Sequence, residues 1–232
     1  MLPAGGVLLP EGPNFMNDYL QLLQTYFPYI AKGAIVTLEL TVFSLIGSVV
    51  IGLLATFAKM SGIRVLGYVA GIYIELIRAT PALLQLFIIY FGLTSFGIRL
   101  EPMAAAIITL SLVGGAYAAE IFRAGIEAVD RGQFEAARSL GMSTPLAMRR
   151  IILPQAGVII LPPFTNFIIS MIKDTSLALT ISVPEIMYRS YDASSQSYRS
   201  MAIYSMAAIL YLAICLPLSR FAKRLERRRA AQ

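Results

Sequence analysis

Charged residues divide this chain into apolar stretches long enough to cross a bilayer. A charge at the bilayer centre is costly, and about 18 apolar residues or more are needed to cross the hydrocarbon. Five intervals between charges reach that length: residues 40–58, 79–98, 102–119, 151–172 and 200–219. In the fourth, Pro154, Pro162 and Pro163 crowd the first half. Proline is best tolerated at a helix start, so the predicted spanning helix moves to residues 162–180. Lys173 and Asp174 then fall near mid-membrane, whereas Glu39 and Arg78 fall at span ends, where long side chains reach the interface. The pattern predicts an all-α integral membrane protein with five transmembrane helices.

Two segments fit less simply. Residues 65–77 are apolar apart from Glu75, and together with the second span they are too long for one perpendicular crossing. Either that helix tilts strongly, or its first half lies along the inner surface. Residues 183–200 are polar and rich in Ser and Tyr, which predicts an outer loop or a short external helix.

Five crossings place the termini on opposite sides, and the excess of Lys and Arg marks the cytoplasmic one. Arg220, Lys223, Arg224 and Arg227 to Arg229 place the C-terminus inside, together with Lys59, Arg64, Arg123, Arg131, Arg138, Arg149 and Arg150. Lys32, Arg99, Arg189 and Arg199 fall outside. The N-terminus is therefore expected outside. Residues 1–14 have no basic n-region and do not read as a signal peptide. Tyr26, Phe27 and Tyr29 are expected at the outer interface.

Composition narrows the chemistry. The 232 residues are 57% hydrophobic and 14% charged, with a mean hydropathy of +0.72, far from soluble composition. Without histidine there is no histidine-based triad, haem ligation or His-containing metal site. One cysteine, Cys215, allows no internal disulfide and no Cys-Cys metal site, and a lone thiol in an apolar run is ordinarily packing. No lysine is followed by Ser or Thr, so the phosphate-binding loop is missing and ATP hydrolysis is expected in a partner. No catalytic or metal site is expected in this chain.

The most informative stretch is the cytoplasmic loop at residues 125–155. Asp130 can stop one helix, residues 133–140 suit a short helix, Gly141 suits a left-handed cap, and Ser143-Thr144-Pro145 can start the next. Glu135-Ala136-Ala137, then Gly141, then Ile151, Leu153 and Pro154 match the EAA…G…I.LP signature at full spacing. The chain thereby resembles the permease subunits of binding-protein-dependent ABC importers. Arg78-Ala79-Thr80-Pro81, the run at residues 116–123 and Lys173-Asp174-Thr175-Ser176-Leu177 resemble the polar amino acid uptake branch, and the likeness runs from about Gly33 to the C-terminus.

That resemblance implies a type I importer permease fold in a single domain, residues 1–232, in the inner (plasma) membrane. It implies that Glu135, Ala136, Ala137 and Gly141 dock onto a cytoplasmic ABC ATPase dimer. ATP and magnesium would be bound by that partner, with no cofactor in this chain. An extracytoplasmic solute-binding protein and a second permease copy or paralogue complete the expected assembly; nucleic acid plays no part. Pairing also follows from five helices being a thin wall for an alternating-access cavity.

For the substrate pathway, Asn166, Ser170, Lys173 and Asp174 fall on one face of the fourth helix, where intramembrane ionisable groups mark function. A carboxylate, an ammonium, an amide and a hydroxyl can satisfy a zwitterionic amino acid. The alternative is that Lys173 and Asp174 neutralise each other as structure. Tyr117 is a further candidate for pathway contact. Members of the branch that handle cations carry Glu after the residue matching Asn166; here it is Phe167, which weakens arginine, lysine or histidine as cargo. Glutamine, glutamate, aspartate, cystine or an opine remain open.

Glu75 with Arg78, and Glu120 with Arg123, are spaced for local or intersubunit ion pairs, and Gly114-Gly115 with Ala118-Ala119 give the third span a small-residue surface for the bundle or a dimer. An intramembrane enzyme lacks nucleophile and paired-carboxylate patterns, and a passive channel leaves the EAA loop without a purpose.

Overall fold

The computed structural model describes residues 15–230, with side chains over residues 19–224. The N-terminal stretch expected outside, residues 1–14, lies beyond the described residues. Among the described residues eight helices follow in order. They are α1 (Phe15–Met60), α2 (Arg64–Ala79), α3 (Ala82–Ser95), α4 (Pro102–Glu127), α5 (Arg131–Ser139), α6 (Thr144–Ile181), α7 (Ile186–Ser197) and α8 (Ser200–Ala230). No strand occurs among the described residues. Four helices, α1, α4, α6 and α8, are each long and apolar enough to cross a membrane, and α2 with α3 pass the same test together as a pair bent by 106°. Counting the bent pair as one span gives the predicted five crossings, with different boundaries.

The break resolves the ambiguity of the second span. Pro81 cannot donate to the α2 ladder and biases Thr80 to an extended conformation, φ −118° and ψ 146°, so α2 ends at Ala79. Tyr73 of α2 donates to the Leu112 carbonyl at mid-α4, yet Arg78 comes within 4.0 Å of Glu120. Thus α2 runs obliquely across one end of the bundle and only α3 climbs to the other. A single strongly tilted helix is ruled out.

The fourth span differs more. The predicted helix starts at Pro162, but α6 runs from Thr144 through both prolines. Each proline removes one donor, and a packed bundle in lipid tolerates that loss where soluble helices seldom do. At the α6 start, Pro154 follows a widened π-turn, Met148–Ile152. At its far end the helix tightens to a 3₁₀ stretch, Thr175–Ile181, so Lys173 and Asp174 sit at a change of helix type. The α1 helix is also longer than predicted. Its 46 residues reach about 70 Å at 1.5 Å per residue, because Lys32 and Glu39 limit a charge-free interval without limiting a helix. Tyr26, Phe27 and Tyr29 consequently pack against the α7–α8 core around Ile186, Ala193, Ile203 and Met206.

The α4 helix is central, packing against α1, α2, α3 and α6. Its small residues meet a matching row on α1. A Cβ on Gly52 would stand 2.8 Å from the Ala118 Cβ and 3.1 Å from the Ala119 nitrogen, so glycine is what permits this approach. Hydroxyls bridge the seam: Ser48 donates to the Ser44 and Leu110 carbonyls, and Thr56 to those of Gly52 and Ala119. The small-residue surface of α4 thus builds the bundle itself.

Candidate functional site

Where α2 breaks, the chain opens a cavity of about 580 Å³ between the α2–α3 corner, α4 and α6. Thr80 contributes a hydroxyl from the corner, Tyr117 a phenol from α4, and α6 presents Asn166, Phe167, Ser170 and Asp174. At 100° per residue these α6 positions, with Pro163 and Met171, occupy one sector of about 140°. Lys173 lies just off its edge and is not part of the lining; it comes within electrostatic reach of Cys215 on α8. The cavity therefore gathers five of the six predicted pathway residues, and Asp174 is the charged group in its lining. Thr80 was not singled out from the sequence, since a hydroxyl before a proline carries no functional signal until the helix is seen to break there.

Asp174 also lines a small apolar void with Ala82, Leu86, Thr109 and Ala178, so its carboxyl stands between the packed core and the cavity. The Phe167 ring is backed by Phe164, centroids 5.6 Å apart, and Phe164 by Phe122 at 5.6 Å. This aromatic row makes one wall apolar. Below it, the Arg78 guanidinium lies 5.5 Å over the Tyr117 ring, a cation–π distance.

A charged cluster follows Tyr117 along α4. Glu120 accepts from Lys59 at 2.9 Å and pairs with Arg123 at 2.6 Å, and Arg123 also reaches Glu127 at 2.6 Å. The expected Glu120–Arg123 pair is present. No Glu75–Arg78 pair forms within the chain among the described residues; Arg78 lies over the Tyr117 ring and within 4.0 Å of Glu120 instead.

The loop at residues 125–155 adjoins the same end. Asp130 caps α5, its carboxylate accepting from the Gly132 nitrogen at 2.7 Å. The helix ends in a left-handed turn at Gly141, φ 74°, and the next helix begins at Thr144 with Pro145 in its first turn. Gln155 donates to Gln133 at 3.3 Å, joining α5 to α6. Glu135, Ala136 and Gly141 are exposed, but Ala137 is only 1% exposed and faces its own chain. The apolar side chain presented at the tip is Leu140, 80% exposed. Sequence reasoning passed over it, although an apolar residue beside the turn glycine of a polar loop was a usable signal. No group of acidic or cysteine side chains among the described residues could hold a metal.

Similarity to known proteins agrees with this architecture. Residues 48–231 match the family model described as binding-protein-dependent transport system inner membrane component. The chain is 40% identical over 206 residues to the L-cystine transport system permease protein TcyB of Bacillus subtilis, covering 88% of each. It is 41% identical over 203 residues to the glutamine transport system permease protein GlnP of Escherichia coli, covering 87% of this chain and 93% of that one. A crystal structure of an amino acid ABC transporter with histidines superposes with a TM-score of 0.86 at 40% identity, over 91% of this chain and 98% of that one. With a family match across most of its length and relatives at this identity, the chain belongs to the inner membrane components of binding-protein-dependent transport systems.

Proposed function

We propose that the chain is the membrane-spanning permease subunit of an ATP-driven importer, and that it moves a neutral or acidic polar amino acid, or a derivative, in preference to arginine or lysine. The observation that carries this reading is the cavity, in which α6 presents a carboxyl (Asp174), an amide (Asn166) and a hydroxyl (Ser170) opposite the Thr80 corner, beside the Phe167 ring. Asp174 suits an α-ammonium, and the Asn166 amide and Ser170 hydroxyl suit an α-carboxylate. The Phe167 wall offers nothing to neutralise a cationic side chain, and burying such a charge unpaired costs several kcal/mol.

Glu135, Ala136 and Gly141, with Leu140 added and Ala137 packing from behind, are the surface for a cytoplasmic ATPase dimer. ATP and magnesium are held there and no cofactor in this chain. A second permease, identical or paralogous, closes the cavity, and an extracytoplasmic binding protein supplies cargo. The chain acts as a single domain with its C-terminus in the cytoplasm and its N-terminus outside.

Competition uptake by the complete transporter in proteoliposomes tests the cargo, using a panel of amino acids against a labelled tracer. Glutamine, glutamate or cystine should compete best; tightest competition by arginine or lysine would refute the selectivity. Reporter fusions at the two ends test the topology, and a finding that both lie on one side would overturn it.

A further inference from the structure

Glu185 has 0% exposure, the full enclosure that carboxyls ordinarily avoid. It does not line the cavity. Its Oε1 accepts from the Tyr188 nitrogen at 2.7 Å, capping α7, and its Oε2 accepts from the Tyr211 hydroxyl of α8 at 3.0 Å. Enclosure without partners costs several kcal/mol, so the two hydrogen bonds are conditions for this side chain being there at all.

The surroundings hold the same point from two more helices. A Cβ on Gly33 of α1 would come within 2.7 Å of the Glu185 carbonyl carbon, and the Ile186 nitrogen donates to the buried Thr37 hydroxyl at 3.3 Å. On the other side, the Tyr211 hydroxyl lies within interaction range of the Thr175 side chain, whose own hydroxyl donates to the Ile172 carbonyl at 2.7 Å. Thr175 is fully buried and directly follows Asp174. An unbroken chain of contacts therefore runs from α1 and the start of α7, through Glu185 and Tyr211, to the turn that carries the charged group of the cavity. That turn is where α6 tightens to 3₁₀, and its ladder alone holds it less firmly.

We propose that Glu185 is a positioning residue: through Tyr211 and Thr175 it fixes the Asp174 turn to the α1–α7 junction and so sets where the cavity presents its carboxyl. The importance of that carboxyl for cargo rests on the function proposed above; the positioning itself does not.

The test uses Ser170→Cys as a reporter in the cavity, in a Cys215→Ser background, labelled in native membranes with a water-soluble maleimide. Tyr211→Phe removes one oxygen and keeps the ring, and Glu185→Leu removes the acceptor. Each should change the labelling rate about five- to tenfold, the effect of one lost buried hydrogen bond. Glu185→Gln, which can still accept and donate, should stay within about twofold of the parent. A second reporter, Ala55→Cys at the α1–α4 seam, should label at an unchanged rate. Unchanged Ser170→Cys labelling in Tyr211→Phe overturns the proposal, as does an equal change at Ala55→Cys, which would mean general loosening. If Glu185→Leu does not accumulate in the membrane, Tyr211→Phe alone decides. Failure of the wild-type transporter to take up L-glutamine or L-cystine would count against the cargo reading and leave the labelling result standing.

Discussion

The side-chain amide of Gln85 donates to the main-chain carbonyl of Ile77 at 2.8 Å, across the break between α2 and α3. It reaches the Thr80 carbonyl at 3.2 Å and the Thr80 hydroxyl at 2.8 Å as well. The last carbonyls of α2 have no helical donors, and in a bilayer water does not supply them. Gln85 thus makes a 106° bend inside a span affordable, and that bend forms one wall of the cavity. Gln85→Leu keeps the volume and removes the donor. The expected result is a loss of about 1–3 kcal/mol, read as a lowered unfolding midpoint in detergent, with helix content unchanged.

Gly141→Val addresses the proposed docking turn. A β-branched residue at φ 74° costs about 1–2 kcal/mol in backbone strain, and here it would reorient Leu140. The variant should insert normally yet lose co-purification with the ATPase, or lose transport. Retention of both at wild-type levels would show that the turn does not dock.

Asp174→Asn preserves shape and removes charge. Uptake should fall about 10- to 100-fold, the scale of one charge-assisted hydrogen bond, while assembly with the ATPase persists. Intact uptake with an unchanged dependence on cargo concentration would make Asp174 structural.

Phe167→Glu puts a carboxylate on the apolar wall, beside the Phe164 ring. Competition by arginine should strengthen about tenfold relative to glutamine, which is about 1.4 kcal/mol. No change in the competition order would move selectivity away from this wall.

Glu185 also predicts a pH dependence. Burial raises its carboxyl above the ordinary 4.5, partly offset by the Met187 and Tyr188 nitrogens and the Tyr211 hydroxyl. The folded protein then holds the proton more tightly than the unfolded chain, so this contribution to stability is fully present below pH 4.5 and is lost as pH rises through the raised value. Glu185→Gln cannot titrate. Its unfolding midpoint in detergent, relative to the wild type, should rise as pH is taken from below 4.5 toward neutrality, and a constant difference would show that the carboxyl is not shifted.

The residues by themselves determined the features that depend on one-dimensional spacing. Charge-free length yields the number of crossings, because a lipid interior penalises a charge wherever the rest of the chain lies. The EAA spacing, Asp130, Gly141 and Pro145 yield the short helix, its turn and the next start, because caps and turns are local chemistry. The face carrying Asn166, Ser170 and Asp174 follows from helical period alone. Tertiary structure decided what depends on neighbours. Only packing shows that Lys173 turns away from the cavity while Asp174 faces it, since both positions lie near the edge of the same stripe. Only packing carries α6 through Pro162 and Pro163, breaks the second span at Pro81 with Gln85 closing the gap, and sends Arg78 to Tyr117 and Glu120 in place of Glu75. Glu185 shows the limit most clearly: in the sequence it is an acid in a polar segment, and its enclosure comes from Gly33, Tyr188 and Tyr211, separated along the chain and joined only when α1, α7 and α8 pack.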